Sequence, residues 1–158
     1  MMPTTSVAIH DSALDLPRTI GGTEVCAVSN RRTVNDLLAA SRERLVRLDP
    51  NAARSAAEGG AILIDTRCAE QRRETGVIPG SIHVPLSVLY WRLDPASGFD
   101  DHRLADPERQ VILVCAHGYS SSLAAATLQD LGFALATDID GGFDAWQAAG
   151  LPIEAAAD

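Results

Sequence analysis

Cys115 closes the apolar run Val111-Ile112-Leu113-Val114 and is followed by Ala116-His117-Gly118-Tyr119-Ser120-Ser121. The helix-forming stretch Ser122-Leu123-Ala124-Ala125-Ala126 comes next. A buried strand, a Gly-containing loop and a helix start, in that order, aim backbone N–H groups and a helix N-terminus at one sulfur. A thiol in such a cradle has a lowered pKa and ionises to a reactive thiolate. The chemistry predicted is nucleophilic attack by Cys115, with Ala116, His117, Gly118, Tyr119, Ser120 and Ser121 as the loop that holds the charge.

Other polar residues stand at the ends of apolar runs. Asp65 and Arg67 follow Ala61-Ile62-Leu63-Ile64, and Asp140-Gly141-Gly142 follow Ala136–Ile139. Asp65 is expected to organise the neighbouring loops, Arg67 to add positive potential, and Gly142 to permit a tight turn beside the site. Ser120 and Ser121 are also candidate N-caps of the helix that follows. Cys68, next to Arg67, reads first as a small loop residue and second as a thiol that resolves an oxidised Cys115. Cys26 receives no role. His83 reads as a satisfied histidine beside a strand. Arg67, Arg72 and Arg73 read mainly as a solvated face, with steering of an anion as the second reading; Arg92 is a further cation within reach. Trp91 and Trp146 are expected to anchor packing.

The elements that position these residues follow from pattern. Thr33 has the look of an N-cap with Asp36 in the first turn, and Val34, Leu37, Leu38, Leu45 and Leu48 continue a helical spacing. Asp49 and Pro50 suit the cap and first position of a helix over 51–58, closed by Gly59-Gly60. Ala61–Ile64 and Val111–Val114 are apolar runs too short for helices and read as strands, and Ile82–Val84 and Ala136–Ile139 read as two more. Helices are predicted over 86–93, over 122–131 with Ala124, Leu128 and Leu131 on one face, and over 143–149. Strands buried on both faces and alternating with helices imply an α/β fold with a parallel sheet covered on each side. In such sheets the site lies at the carboxyl ends of the strands.

Bulk properties bound the function. The chain has 158 residues, enough for one domain, and a formal net charge of −8. That charge argues against nucleic acid and anionic membranes as partners. Three cysteines do not suggest a disulfide framework. No leader and no membrane span are read from the chain, so a cytoplasmic protein is expected. Residues 1–32 read as a tail or loosely ordered flank, with a short ordered piece at 23–28. Residues 33–154 read as the domain, its core starting near 45.

Four segments, in order, resemble the rhodanese-like family of sulfurtransferases. They are Ile62-Leu63-Ile64-Asp65-Thr66-Arg67, Gly76-Val77-Ile78-Pro79-Gly80-Ser81, Val111–Ser120, and Gly141-Gly142-Phe143-Asp144-Ala145-Trp146 with Gly150-Leu151-Pro152. The resemblance implies a three-layer fold, with helices on both faces of a mostly parallel central sheet. It implies transfer of sulfane sulfur from a donor such as thiosulfate to cyanide, a thiol or a protein acceptor, through a Cys115 persulfide, with no metal or cofactor. The chain departs from the common pattern at Ser120, where many members carry a loop cation, and at Val77, where histidine is usual. The alternatives are a weakly catalytic binding or regulatory module and, less favoured, a phosphatase or arsenate reductase. The last two need an Arg after five intervening residues, where Ser121 stands.

Overall fold

The computed structural model describes residues 31–157, together with two short strands, β1 (Thr19–Ile20) and β2 (Thr23–Glu24). The chain divides into two units, Met1–Arg32 and Thr33–Asp158. In the first, β1 pairs antiparallel with β2. Cys26 lies outside the described residues, as do the residues of the expected flank other than β1, β2 and 31–32.

The second unit opens with α1 (Val34–Arg44). The Thr33 hydroxyl accepts from the Asp36 N–H at 3.2 Å while the Asp36 carboxylate accepts from the Thr33 N–H at 2.7 Å, a reciprocal cap. The helical spacing through Leu48 is interrupted: α1 stops at Arg44 and Leu45 turns extended. Leu48 instead bridges to Ile139, donating to Asp138 O and accepting from the Asp140 N–H. Pairing with a sheet edge thus overrides a helical pattern whose last members could serve either element. Asp49 Oδ1 then accepts from the N–H groups of Asn51 and Ala52, starting α2 (Pro50–Glu58).

Four strands follow: β3 (Ile62–Asp65), β4 (Ile82–His83), β5 (Val111–Val114) and β6 (Thr137–Asp138). They form one sheet in the order β4-β3-β5-β6, every pairing parallel. The connections carry α3 (Ala69–Thr75), a 3-10 turn at Leu86–Val88 leading into α4 (Leu89–Leu93), α5 (Ser120–Asp130) and α6 (Gly142–Ala148). Alternate strand residues feed opposite cores. Ile62, Ile64, Val111 and Leu113 pack with Leu89, Leu93, Ala124 and Leu128 from α4 and α5. Leu63, Ile112 and Val114 pack on the other side with Ala53, Phe143 and Trp146 from α2 and α6. The architecture is α/β in three layers, as expected. Each fully buried aliphatic side chain of these strands contributes about 1.5–3 kcal/mol relative to exposure.

Several expectations need correction. The helix α3 was not foreseen, because its sequence is polar throughout and none of its residues is buried. Trp91 is 54% exposed and Leu131 41% exposed. In the short α4 the core positions go to Leu89 and Leu93, leaving Trp91 on the outer face. Leu131 lies past the last turn of α5, at its C-cap. Trp146 does pack in the core, 2% exposed, with its Nε1–H donated to Pro152 O. Among the described residues no helix is long and apolar enough to cross a membrane.

Candidate active site

The register of β3 with β5 places Asp65 opposite Val114, and the Thr66 N–H donates to Val114 O at 2.9 Å. The first residues beyond both strands therefore share one edge, and Cys115 is among them. Its side chain is nearly enclosed, with 7% of the residue exposed. The chain then turns at Gly118, whose φ is +75°, bringing the Gly118 N–H to 3.1 Å from Cys115 Sγ. The loop's carbonyls are held from behind by α6: the Phe143 N–H donates to Cys115 O at 2.8 Å and the Asp144 N–H to Ala116 O at 3.1 Å. Gly142 makes this approach possible. A Cβ there would stand 2.5 Å from Cys115 O, 2.6 Å from Gly118 N and 2.7 Å from Ala116 O.

The serines do more than cap. α5 begins at Ser120, with Tyr119 at the N-cap and no side-chain cap bond, so the expected capping by Ser120 or Ser121 is not the observed use. Ser121 Oγ lies 3.2 Å from Cys115 Sγ and donates to Asp138 Oδ2 at 2.8 Å. Ser122 Oγ also lies 2.8 Å from Asp138 Oδ2. Asp138 is fully buried on β6 and is gripped by Arg47 through Nε at 2.8 Å and Nη2 at 3.1 Å. While the thiol is neutral, its proton points to Ser121. Once it ionises, the single Ser121 proton has two anionic acceptors, the sulfur and Asp138. Burial pushes the Cys115 thiol up; hydrogen bonds from Ser120, Ser121 and the Gly118 amide outweigh it, so the net shift is downward.

Arg42 and Arg47 also meet the loop. The Gly118 carbonyl accepts from Arg42 Nη2 at 2.8 Å and Arg47 Nη2 at 3.1 Å, and Ser122 Oγ lies 3.1 Å away. Arg42 further lies 5.6 Å from the centroid of the Tyr119 ring. Sequence reasoning missed Arg42, Arg47 and Asp138. Asp138 did leave a signal, an acidic residue inside the predicted strand 136–139. The arginines left none, since their partners are remote in sequence.

Arg67 and Asp65 come together as a buried pair, with Nη2 to Oδ2 at 2.7 Å and Nε to Oδ1 at 3.0 Å. Arg72 Nε adds a third contact to Asp65 at 3.1 Å. His83 Nε2 lies 2.9 Å from the Arg67 carbonyl, which accepts its proton. His117 is bound through Nδ1 to Asp144 Oδ2 at 2.7 Å. A cavity of about 230 Å³ opens over Cys115, with Thr66, Cys68, Gln71, His117 and Ser120 on its wall. Cys68 is exposed, so two thiols face this space. A larger groove of about 300 Å³ lies elsewhere, between Leu63, Ile78 and Trp146, and Cys115 is not on its wall. The enclosed Cys115 thiol and its donors mark the smaller cavity as the candidate site.

The profile of the rhodanese-like domain matches residues 49–149. The thiosulfate sulfurtransferase GlpE of Pseudomonas syringae pv. syringae (strain B728a) is 39% identical over 101 residues, which cover 64% of this chain and 86% of that protein. The GlpE protein of Pseudomonas fluorescens (strain Pf-5) is 37% identical over 64% of this chain and 84% of its own. Among solved structures, a Rhodopseudomonas palustris protein of unknown function, described as a possible tyrosine phosphatase, has a TM-score of 0.72 and 29% identity. It covers 88% of this chain and 99% of that one. The polysulfide-sulfur transferase homodimer of Wolinella succinogenes has a TM-score of 0.59 and 25% identity, over 76% of this chain and 85% of that one.

Proposed function

The chain belongs to the rhodanese-like domain family, and from that premise we propose that it is a sulfurtransferase acting through a persulfide on Cys115. The observation that carries this reading is the enclosed Cys115 thiol, with the Gly118 N–H 3.1 Å from Sγ and its pKa drawn downward. Thiosulfate is the donor suggested by the named relatives. The Cys115 thiolate attacks the outer sulfur of thiosulfate, a new S–S bond forms at Cys115, and the old S–S bond breaks with its electron pair leaving on sulfite. An acceptor thiolate or cyanide then attacks the outer sulfur of the persulfide and Cys115 departs as thiolate. The loop amides from Ala116 to Ser121 stabilise the anion at each stage, and no step calls for a metal or cofactor. Asp65, Arg67 and Gly142 hold the loops that frame the reaction. A protein thiol is a suitable acceptor, and a reducing cytoplasm is the setting that keeps Cys115 and Cys68 free.

The R. palustris neighbour raises dephosphorylation as a second reading. A guanidinium after five intervening residues would clamp the phosphate; Ser121 stands there and its hydroxyl is engaged with Asp138. Sulfur transfer is therefore preferred. A purely binding module is the remaining alternative, and Cys115→Ser separates it, since binding would survive the change. Mass spectrometry of the full chain after incubation with thiosulfate is the direct test. The expected result is one added sulfur on the Cys115 peptide, absent in Cys115→Ser. Failure of thiosulfate, polysulfide and persulfide donors alike to load Cys115 overturns the reading.

A further inference from the structure

The loop from Ala116 to Ser121 contains no arginine or lysine, yet it must hold an anion. Resting on the sulfurtransferase reading for what that anion is, we propose that Arg42 and Arg47 supply the missing positive charge from behind, through the Gly118 carbonyl. This oxygen accepts from Arg42 Nη2 at 2.8 Å and Arg47 Nη2 at 3.1 Å, and Ser122 Oγ, whose one proton is shared with Asp138, lies 3.1 Å away. A trans peptide sets its C=O and the next N–H on opposite sides. The Tyr119 N–H, which shares the peptide with the Gly118 carbonyl, therefore points away from the arginines. Drawing electron density onto that oxygen strengthens this N–H as a donor, as in any chain of polarised hydrogen bonds. The same contacts fix the orientation of Gly118, whose own N–H reaches Cys115 Sγ.

The two arginines contribute unequally. Arg47 is matched by Asp138 and Asp140. Among the described residues no carboxylate forms an ion pair with Arg42, so its charge is left for the loop and the Tyr119 ring. Both precede residues 49–149, the segment matched by the family profile. They are positioning residues, since neither is seen to touch the sulfur. The other ionisable groups around Cys115 are Asp138 by way of Ser121, the His117–Asp144 pair, Tyr119, Cys68 and the buried Asp65–Arg67 pair.

The test uses the full chain and iodoacetamide, a probe that needs no sulfur donor. Alkylation of the Cys115 peptide is followed by mass spectrometry across pH, which keeps Cys26 and Cys68 separate. Arg42→Met is expected to raise the alkylation midpoint by about half to one pH unit. Loading from thiosulfate at pH 7 should slow about three- to tenfold. Arg42→Lys, which keeps the charge, should stay within about 0.2 units of wild type. Arg42→Gln keeps a donor without the charge; it should shift in the same direction as Met and covers the case in which Met disturbs α1. A wild-type midpoint in both Met and Gln variants overturns the inference, as does a Lys variant that shifts as far as Met. If thiosulfate, polysulfide and persulfide donors all fail to load the wild type, the sulfurtransferase reading falls, and the alkylation midpoints still decide the role of Arg42.

Discussion

The guanidinium carbon of Arg67 sits 3.7 Å from the centroid of the Phe143 ring, while Asp65 grips the same group edge-on. Stacking and a two-point ion pair hold one planar cation in place. Thr75 Oγ1 and the Gly76 carbonyl accept two more of its protons, at 2.8 and 2.9 Å. Arg67 thereby ties β3, the end of α3 and α6 together, and its charge is neutralised at home. Arg67→Met should destabilise the fold by about 3 kcal/mol, because Asp65 would keep a buried charge with only Arg72 beside it. Urea unfolding measures this directly. A variant with wild-type stability but slow sulfur loading would instead make Arg67 a source of potential for the substrate.

Ser121 offers the most local control of the thiol. Ser121→Ala removes a hydroxyl 3.2 Å from Sγ that helps draw the Cys115 pKa down. A hydrogen bond to a charged group is worth roughly 1.5–3 kcal/mol, so loading near pH 7 should fall by about tenfold or more. The alkylation midpoint of Cys115 should rise in parallel. The sign follows from the group: a thiol whose pKa is lowered in the fold is ionised at lower pH, and losing the donor moves its ionisation to higher pH.

Asp138 has the opposite sign. Its carboxylate competes with the sulfur for the Ser121 proton and places a negative charge one hydroxyl away. Asp138→Asn should lower the alkylation midpoint of Cys115. It should also cost about 3 kcal/mol of stability, because Arg47 loses its buried partner. The melting temperature and the alkylation midpoint, measured on one preparation, should therefore both fall: a less stable protein with a more acidic thiol.

Gly142→Ala tests the backbone itself. The new Cβ would fall within 2.7 Å of Cys115 O, Gly118 N and Ala116 O, at a φ of +64°. Such a residue is strained by about 1–3 kcal/mol before any clash is counted. The expected outcome is a lower melting temperature together with loss of persulfide on Cys115. Wild-type loading would show that the loop relaxes without losing its donors.

Much of the architecture could be read from residues alone. Ile62–Ile64 and Val111–Val114 are apolar without interruption because both faces are buried, and Asp49 with Pro50 marks a helix start by local chemistry. Cys115 and its loop were legible for the same reason, since neighbours in sequence build the cradle. What escaped is the shell behind the loop. Arg42, Arg47 and Asp138 act across the domain, and an arginine near a helix end looks the same whether it faces solvent or a carbonyl. The polar helix α3 had no apolar stripe to announce it. Leu48 and Leu131 shared a helical spacing with true core residues, and only tertiary pairing separates them.

The partners of the Gly118 carbonyl lie 76 and 71 residues upstream, at Arg42 and Arg47. Contacts between such distant points close late in folding, after local turns and helices have formed. A chain whose segment 42–47 is not docked lacks both of these donors on the Cys115 loop. On the inference drawn above, the acidity of Cys115 in the folded protein reports on the docking of a helix end more than seventy residues away in sequence.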